Sequence, residues 1–141
     1  MTTAHLEFPL SEHWRKALLL RFKPQYAEVR ADHVTIALDK PDVMPSAERV
    51  DIVGYANSGD GIEAMVVQVD GAATRPDGRP YHITWSFDPE KYRARDSVTL
   101  VTDFAKAGKI EIFAKPIVMG PAQAIWIEET AEAQKSAPAA P

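Results

Sequence analysis

In SEHWRKALLLRF (residues 11–22) the apolar positions Trp14, Leu18 and Phe22 fall four apart, so they share one face of a helix. Ser11 suits the N-cap, and Pro24 ends the run. In DHVTIAL (32–38) the period changes to two: Val34, Ile36 and Leu38 point one way, and His33, Thr35 and Ala37 the other. RVDIVGYAN (49–57) and IEAMVVQVD (62–70) read as strands joined by the turn SGDG, a hairpin. After the loop GAATRPDGRP, YHITWSF (81–87) is a further strand. RARDSVTLVTDFAKAG (93–108) turns helical near Ser97, with Asp96 as N-cap, an apolar face of Leu100, Val101 and Phe104, and Gly108 as C-cap. KIEIFAKPIVMG (109–120) reads as one or two short strands broken at Pro116, and AQAIWIEE (122–129) as the last strand.

The order helix, strands, helix, strands predicts an α+β fold with mainly antiparallel sheets and a helix in each half. Each half also carries one His-apolar-Thr strand, a weak internal two-fold repeat. With 141 residues, one domain is expected over 1–129, followed by a flexible Ala/Pro-rich tail over 130–141. MTTAHLEFPL reads as a mobile N-terminus that holds His5, and it lacks the basic and apolar regions of a signal peptide. No run reaches the ~20 apolar residues that span a bilayer, so a cytoplasmic chain with no membrane partner, and a monomer, is the expectation.

Charge and composition narrow the chemistry. The 45% apolar and 26% charged content is that of a globular protein, and a net charge of −4 argues against nonspecific coating of nucleic acid. With no cysteine there is neither a disulfide nor a thiol nucleophile. Phosphate-loop, dinucleotide and His-Glu-x-x-His metal motifs are missing too.

Two of the four histidines open the same pattern, His33-Val34-Thr35 and His82-Ile83-Thr84. On a strand, residues i and i+2 share a face, so each triplet presents an imidazole and a hydroxyl beside a buried apolar anchor. Across a cleft, such a set suits phosphate ester chemistry. A neutral imidazole takes a proton from water, a protonated one gives a proton to the leaving oxygen, and the hydroxyls hydrogen-bond the phosphate. An ordinary histidine pKa of about 6.5 lets both forms coexist near neutrality. One triplet alone is weak evidence; two, on strands in separate halves, are far more specific.

The pair HVT and HIT resembles the signature of the two-histidine (2H) phosphoesterase superfamily, and HITWSF followed by a helix and closing strand looks most like the cyclic phosphodiesterase domain of tRNA ligases. The resemblance covers roughly 11–128. It implies a bilobal fold of two antiparallel sheets, His33 and His82 as catalytic acid and base, and Thr35 and Thr84 as phosphate ligands. It further implies metal-independent hydrolysis, with no cofactor, of a 2′,3′-cyclic phosphate on a nucleotide or RNA end to a 2′-phosphate. The residues leave open which histidine is acid and which is base.

Around the second motif, Arg79 and Tyr81 are candidates for substrate contact, through a phosphate or a base, while Arg75 reads as part of an ordinary solvated loop. Lys91, Arg93 and Arg95 form a mixed patch with Asp88, Glu90 and Asp96. The competing expectation is a module that binds a phosphorylated RNA end without turnover. A metal site is disfavoured, because two histidines with no carboxylate nearby offer too few ligands.

Overall fold

The computed structural model describes residues 2–130. In chain order the elements are β1 (Thr2–Pro9), α1 (Glu12–Arg21), β2 (Glu28–Val29), β3 (His33–Ala37), β4 (Ser46–Ala47), β5 (Val50–Asn57), β6 (Ile62–Val69), β7 (His82–Phe87), α2 (Asp96–Lys106), β8 (Glu111–Val118), β9 (Ala122–Gln123) and β10 (Ile125–Thr130). One sheet has the order β10-β1-β3, a second the order β2-β7-β6-β5-β8, and β4 pairs with β9. All of these pairings are antiparallel. The protein is therefore α+β with two helices among the described residues and mainly antiparallel sheets. No helix of the described residues is long and apolar enough to cross a membrane. Apart from Thr130 at the end of β10, the tail expected over 130–141 lies outside the described residues.

Local chemistry accounts for most boundaries. Ser11 Oγ accepts the Trp14 N–H at 3.1 Å and caps α1, whose Leu18 is buried with Trp14 and Phe22 packed beside it. The β5–β6 hairpin closes over Ser58–Gly61, where Ser58 Oγ accepts the Ile62 N–H at 3.1 Å. Helix α2 lays Leu100 and Val101 on Ala56, Ile62, Ala64 and Phe87, forming one apolar cluster on the second sheet. A larger cluster joins both sheets and α1 through Leu6, Phe8, Val34, Ile36, Ile52, Met65, Ile83 and Trp85. Fully burying side chains of this size contributes about 1.5–3 kcal/mol each.

Three expectations are corrected. The N-terminus is not mobile over the described residues: β1 is the central strand of its sheet, between β10 and β3, with Leu6 and Phe8 in the core and His5 and Glu7 alternating with them. Pro116 does not split β8. The expected break falls in the ladder instead: at the sheet edge Ile112 pairs with Gly54 and Ile117 with Ile52, residues 113–116 have no partner on β5, and the missing N–H of Pro116 falls in that gap. The last strand is two pieces, β9 and β10, which belong to different sheets.

Candidate functional site

The two motif strands lie in different sheets, and the chain between them explains why they meet. Strand β2 pairs with β7, and Arg30 and Ala31 extend that contact by donating backbone N–H groups to Trp85 O and Thr84 O, both at 2.9 Å. Ala31 then takes a left-handed φ of 53°, uncommon for a residue with a Cβ, and the chain leaves for the first sheet. His33 thus begins β3 beside the end of β7 that carries His82, at the fork of the two sheets.

His82 is only 2% exposed. Its Nδ1–H donates to Pro80 O at 3.0 Å. Because a carbonyl only accepts, the neutral ring keeps its lone pair on Nε2. That Nε2 has no hydrogen-bond partner among the described residues. Burial pushes the imidazole down to a pKa of about 4; the Pro80 bond opposes this, and the charges of Arg75 and His33 add to it. At neutral pH, then, His82 is an uncharged acceptor.

His33 has the opposite surroundings. Its Nδ1–H donates to Asp32 Oδ1 at 2.6 Å, and Glu7 Oε1 lies 3.8 Å from the same nitrogen. Burial pushes the Asp32 carboxyl up, but its hydrogen bond and charge interaction with His33, helped by Arg30 and Arg15, outweigh that and hold it below the usual value. Two carboxylates thus stand beside the His33 ring. His5, unassigned by the sequence reading, tilts against His33 with ring centroids 5.1 Å apart and donates Nε2–H to Glu7 Oε1 at 2.7 Å. One ring nitrogen of each histidine and one Glu7 oxygen lie within 4.8 Å of one another, so the carboxylate thought missing from a metal site is present.

The two threonines are not equivalent. Thr35 is 1% exposed and pairs across strands with Glu7, and its Oγ1 has no hydrogen-bond partner among the described residues. Thr84 Oγ1 lies 2.7 Å from Ser97 Oγ, which itself donates to Ala94 O at 2.8 Å. Thr84 Oγ1 also reaches Ala94 O at 3.4 Å, so its proton goes either to Ser97 Oγ or to that carbonyl, and in both arrangements none is left for a phosphate. It anchors the start of α2 against β7.

A cleft of about 1,210 Å³ opens at this fork, lined by His82, Arg30, Arg75, Arg79, Arg93 and Arg95 together with His5 and one side of α2; of the four motif residues only His82 lines it, and His33, Thr35 and Thr84 do not. Glu28, Asp96 and Asp103 also reach it. An acidic chain has thus gathered five arginines on one concavity. Arg75 is not a solvated loop residue: it is 5% exposed, and its Nε and Nη2 donate to the two oxygens of Asp77 at 3.1 and 2.6 Å. Arg30 donates Nη1–H to Glu28 Oε1 at 2.8 Å and lies over the Phe87 ring at 4.9 Å. Arg79 is exposed and lines the cleft. Tyr81 does not: it is 7% exposed within the larger apolar cluster, where burial raises its pKa, so it is a core residue and not a substrate contact.

Sequence reasoning missed His5, Glu7, Asp32 and Arg30. The alternation of His5 and Glu7 with Leu6 and Phe8 was a usable strand signal. Comparison with protein-family models, curated proteins and solved structures found no match.

Proposed function

We propose that the protein is a two-histidine phosphodiesterase that opens 2′,3′-cyclic phosphates on nucleotides or RNA ends. One observation carries it: two imidazoles in opposite charge environments, one neutral and one facing two carboxylates, meet at the fork of two sheets beside an arginine-lined cleft. The two His-apolar-Thr strands and the antiparallel sheets support the same reading, and with it the 2H resemblance.

The charge difference also divides the roles. His82 Nε2 takes a proton from a water molecule as the water oxygen attacks phosphorus. The P–O3′ bond breaks, and protonated His33 gives its proton to the departing 3′ oxygen, leaving a 2′-phosphate. Asp32 stabilises the imidazolium and holds the ring. Arg75 and Arg30 face the non-bridging oxygens and Arg79 draws the substrate into the cleft, and the Thr35 hydroxyl donates to the charge that builds on the phosphate. No step requires a metal.

A second reading, a module that binds such an end without hydrolysis, draws on the Thr84 hydroxyl being committed to Ser97. The test is a panel of 2′,3′-cyclic mononucleotides, an oligoribonucleotide with a cyclic end and a linear 3′,5′-diester, with the product phosphate located by NMR. Turnover of the cyclic substrates, lost in both His33→Ala and His82→Ala, is the expected result. Saturable binding without turnover replaces the hydrolase with the binding module.

A further inference from the structure

We propose that His5, Glu7 and His33 form a site for a divalent transition metal of the zinc class, and that filling it switches the cleft off. The inhibitory half rests on the phosphodiesterase reading; the binding half does not.

The ligand set follows from strand geometry. His5 and Glu7 stand two apart on β1 and share a face. Antiparallel pairing puts Pro9 opposite His33 and Glu7 opposite Thr35, so His33 joins that face from β3. All three side chains are buried, and their ligand atoms lie within 4.8 Å of one another. Bonds of about 2.1 Å put tetrahedral ligands roughly 3.4 Å apart, so side-chain adjustments of no more than about 1.4 Å close the set. Two imidazoles and a carboxylate suit zinc and its neighbours and not magnesium, which prefers oxygen ligands and its own waters.

Three further features fit a metal. Asp32 holds the His33 ring through Nδ1 at 2.6 Å, which with Nε2 as the ligating nitrogen is the carboxylate support that metal-bound histidines commonly have. Glu7 and Asp32 together balance a 2+ ion. His5 and Ala4 line the cleft, which supplies an entry path and room for a fourth ligand, and the buried Thr35 hydroxyl opposite Glu7 would accept or donate to a water there. On binding, the hydrogen between His5 Nε2 and Glu7 Oε1 moves to His5 Nδ1, and the proton that His33 carries in the mechanism leaves to solvent, so both rings ligate as neutral imidazoles. A His33 nitrogen bound to metal no longer carries the proton for the leaving oxygen, so hydrolysis stops.

The full chain, freed of metal, is titrated with Co²⁺ and followed by its visible d–d absorption, then with Zn²⁺ and Mg²⁺ by calorimetry. One Co²⁺ or Zn²⁺ per chain and no Mg²⁺ is expected. His5→Gln and Glu7→Gln, each checked for folding by circular dichroism, should weaken binding on the order of 100-fold. Zn²⁺ should abolish turnover of a 2′,3′-cyclic nucleotide by the wild type and spare His5→Gln. Absence of binding, or binding that neither substitution weakens, overturns the site. Zn²⁺ that raises turnover overturns the inhibitory role. A wild type that hydrolyses nothing yet binds Co²⁺ through these residues rejects the phosphodiesterase and leaves the metal site standing.

Discussion

His82 should make the protein acid-labile, by an amount its surroundings set. The folded pKa is pushed from 6.5 to about 4, chiefly by burial. In the unfolded chain the same ring takes up a proton below about pH 6.5. Between those values the unfolded state binds more protons, so stability is whole above about 6.5 and falls as the pH drops toward 4. At 1.36 kcal/mol per pKa unit the full effect is about 3 kcal/mol, most of which is spent by about pH 4.5. That is a large share of the 5–15 kcal/mol typical of a domain. Asp32 acts in the same direction but lower: its folded pKa lies below 3.8, and its contribution fades only as the pH falls through that range. The perturbation is His82→Gln, whose amide N–H preserves a donor toward Pro80 O. Urea unfolding of wild type and variant near pH 7 and near pH 4.5 gives the comparison. The wild type should lose about 2–3 kcal/mol more than the variant over that interval. An equal loss in both, or an NMR titration of the His82 ring near 6.5, would refute the argument.

Under the proposed mechanism the acid limb of kcat/KM should fall near pH 4 and not near 6.5, read from initial rates on a 2′,3′-cyclic nucleotide. His33→Ala and His82→Ala should each lower the rate ~10²–10⁴-fold in folded protein. The threonines should separate. Thr35→Val costs turnover, up to about 10²–10³-fold, with stability held or raised, because its buried hydroxyl has no partner to lose among the described residues. Thr84→Val costs about 1–3 kcal/mol in a denaturant melt with little change in kcat, because the buried Ser97 hydroxyl loses one of its two partners. Arg79→Ala should raise KM with kcat nearly unchanged, and added salt should shrink the difference, since this exposed side chain only attracts the substrate.

Strand periodicity in the sequence was enough to set each motif's histidine and threonine on one face, with Val34 and Ile83 in the core on the other. Local turn and cap chemistry likewise marked α1 and the β5–β6 hairpin. These features depend on neighbours in the chain, and neighbours are what a sequence displays. Other properties arise between segments far apart in number. His5 and Glu7 gained meaning only when β1 became the partner of β3, and Arg30 and Arg75 only when the loops carrying them closed on one cleft. Thr35 and Thr84 stand in the same written pattern, yet α2 packs on one and not the other, so one hydroxyl is committed and the other is not. The histidines divide for the same reason: a ring's proton affinity is set by the water it loses and the charges it meets, and His82 meets burial and Arg75 where His33 meets Asp32 and Glu7. Periodicity says which way a side chain points, and only the folded chain decides what it finds there.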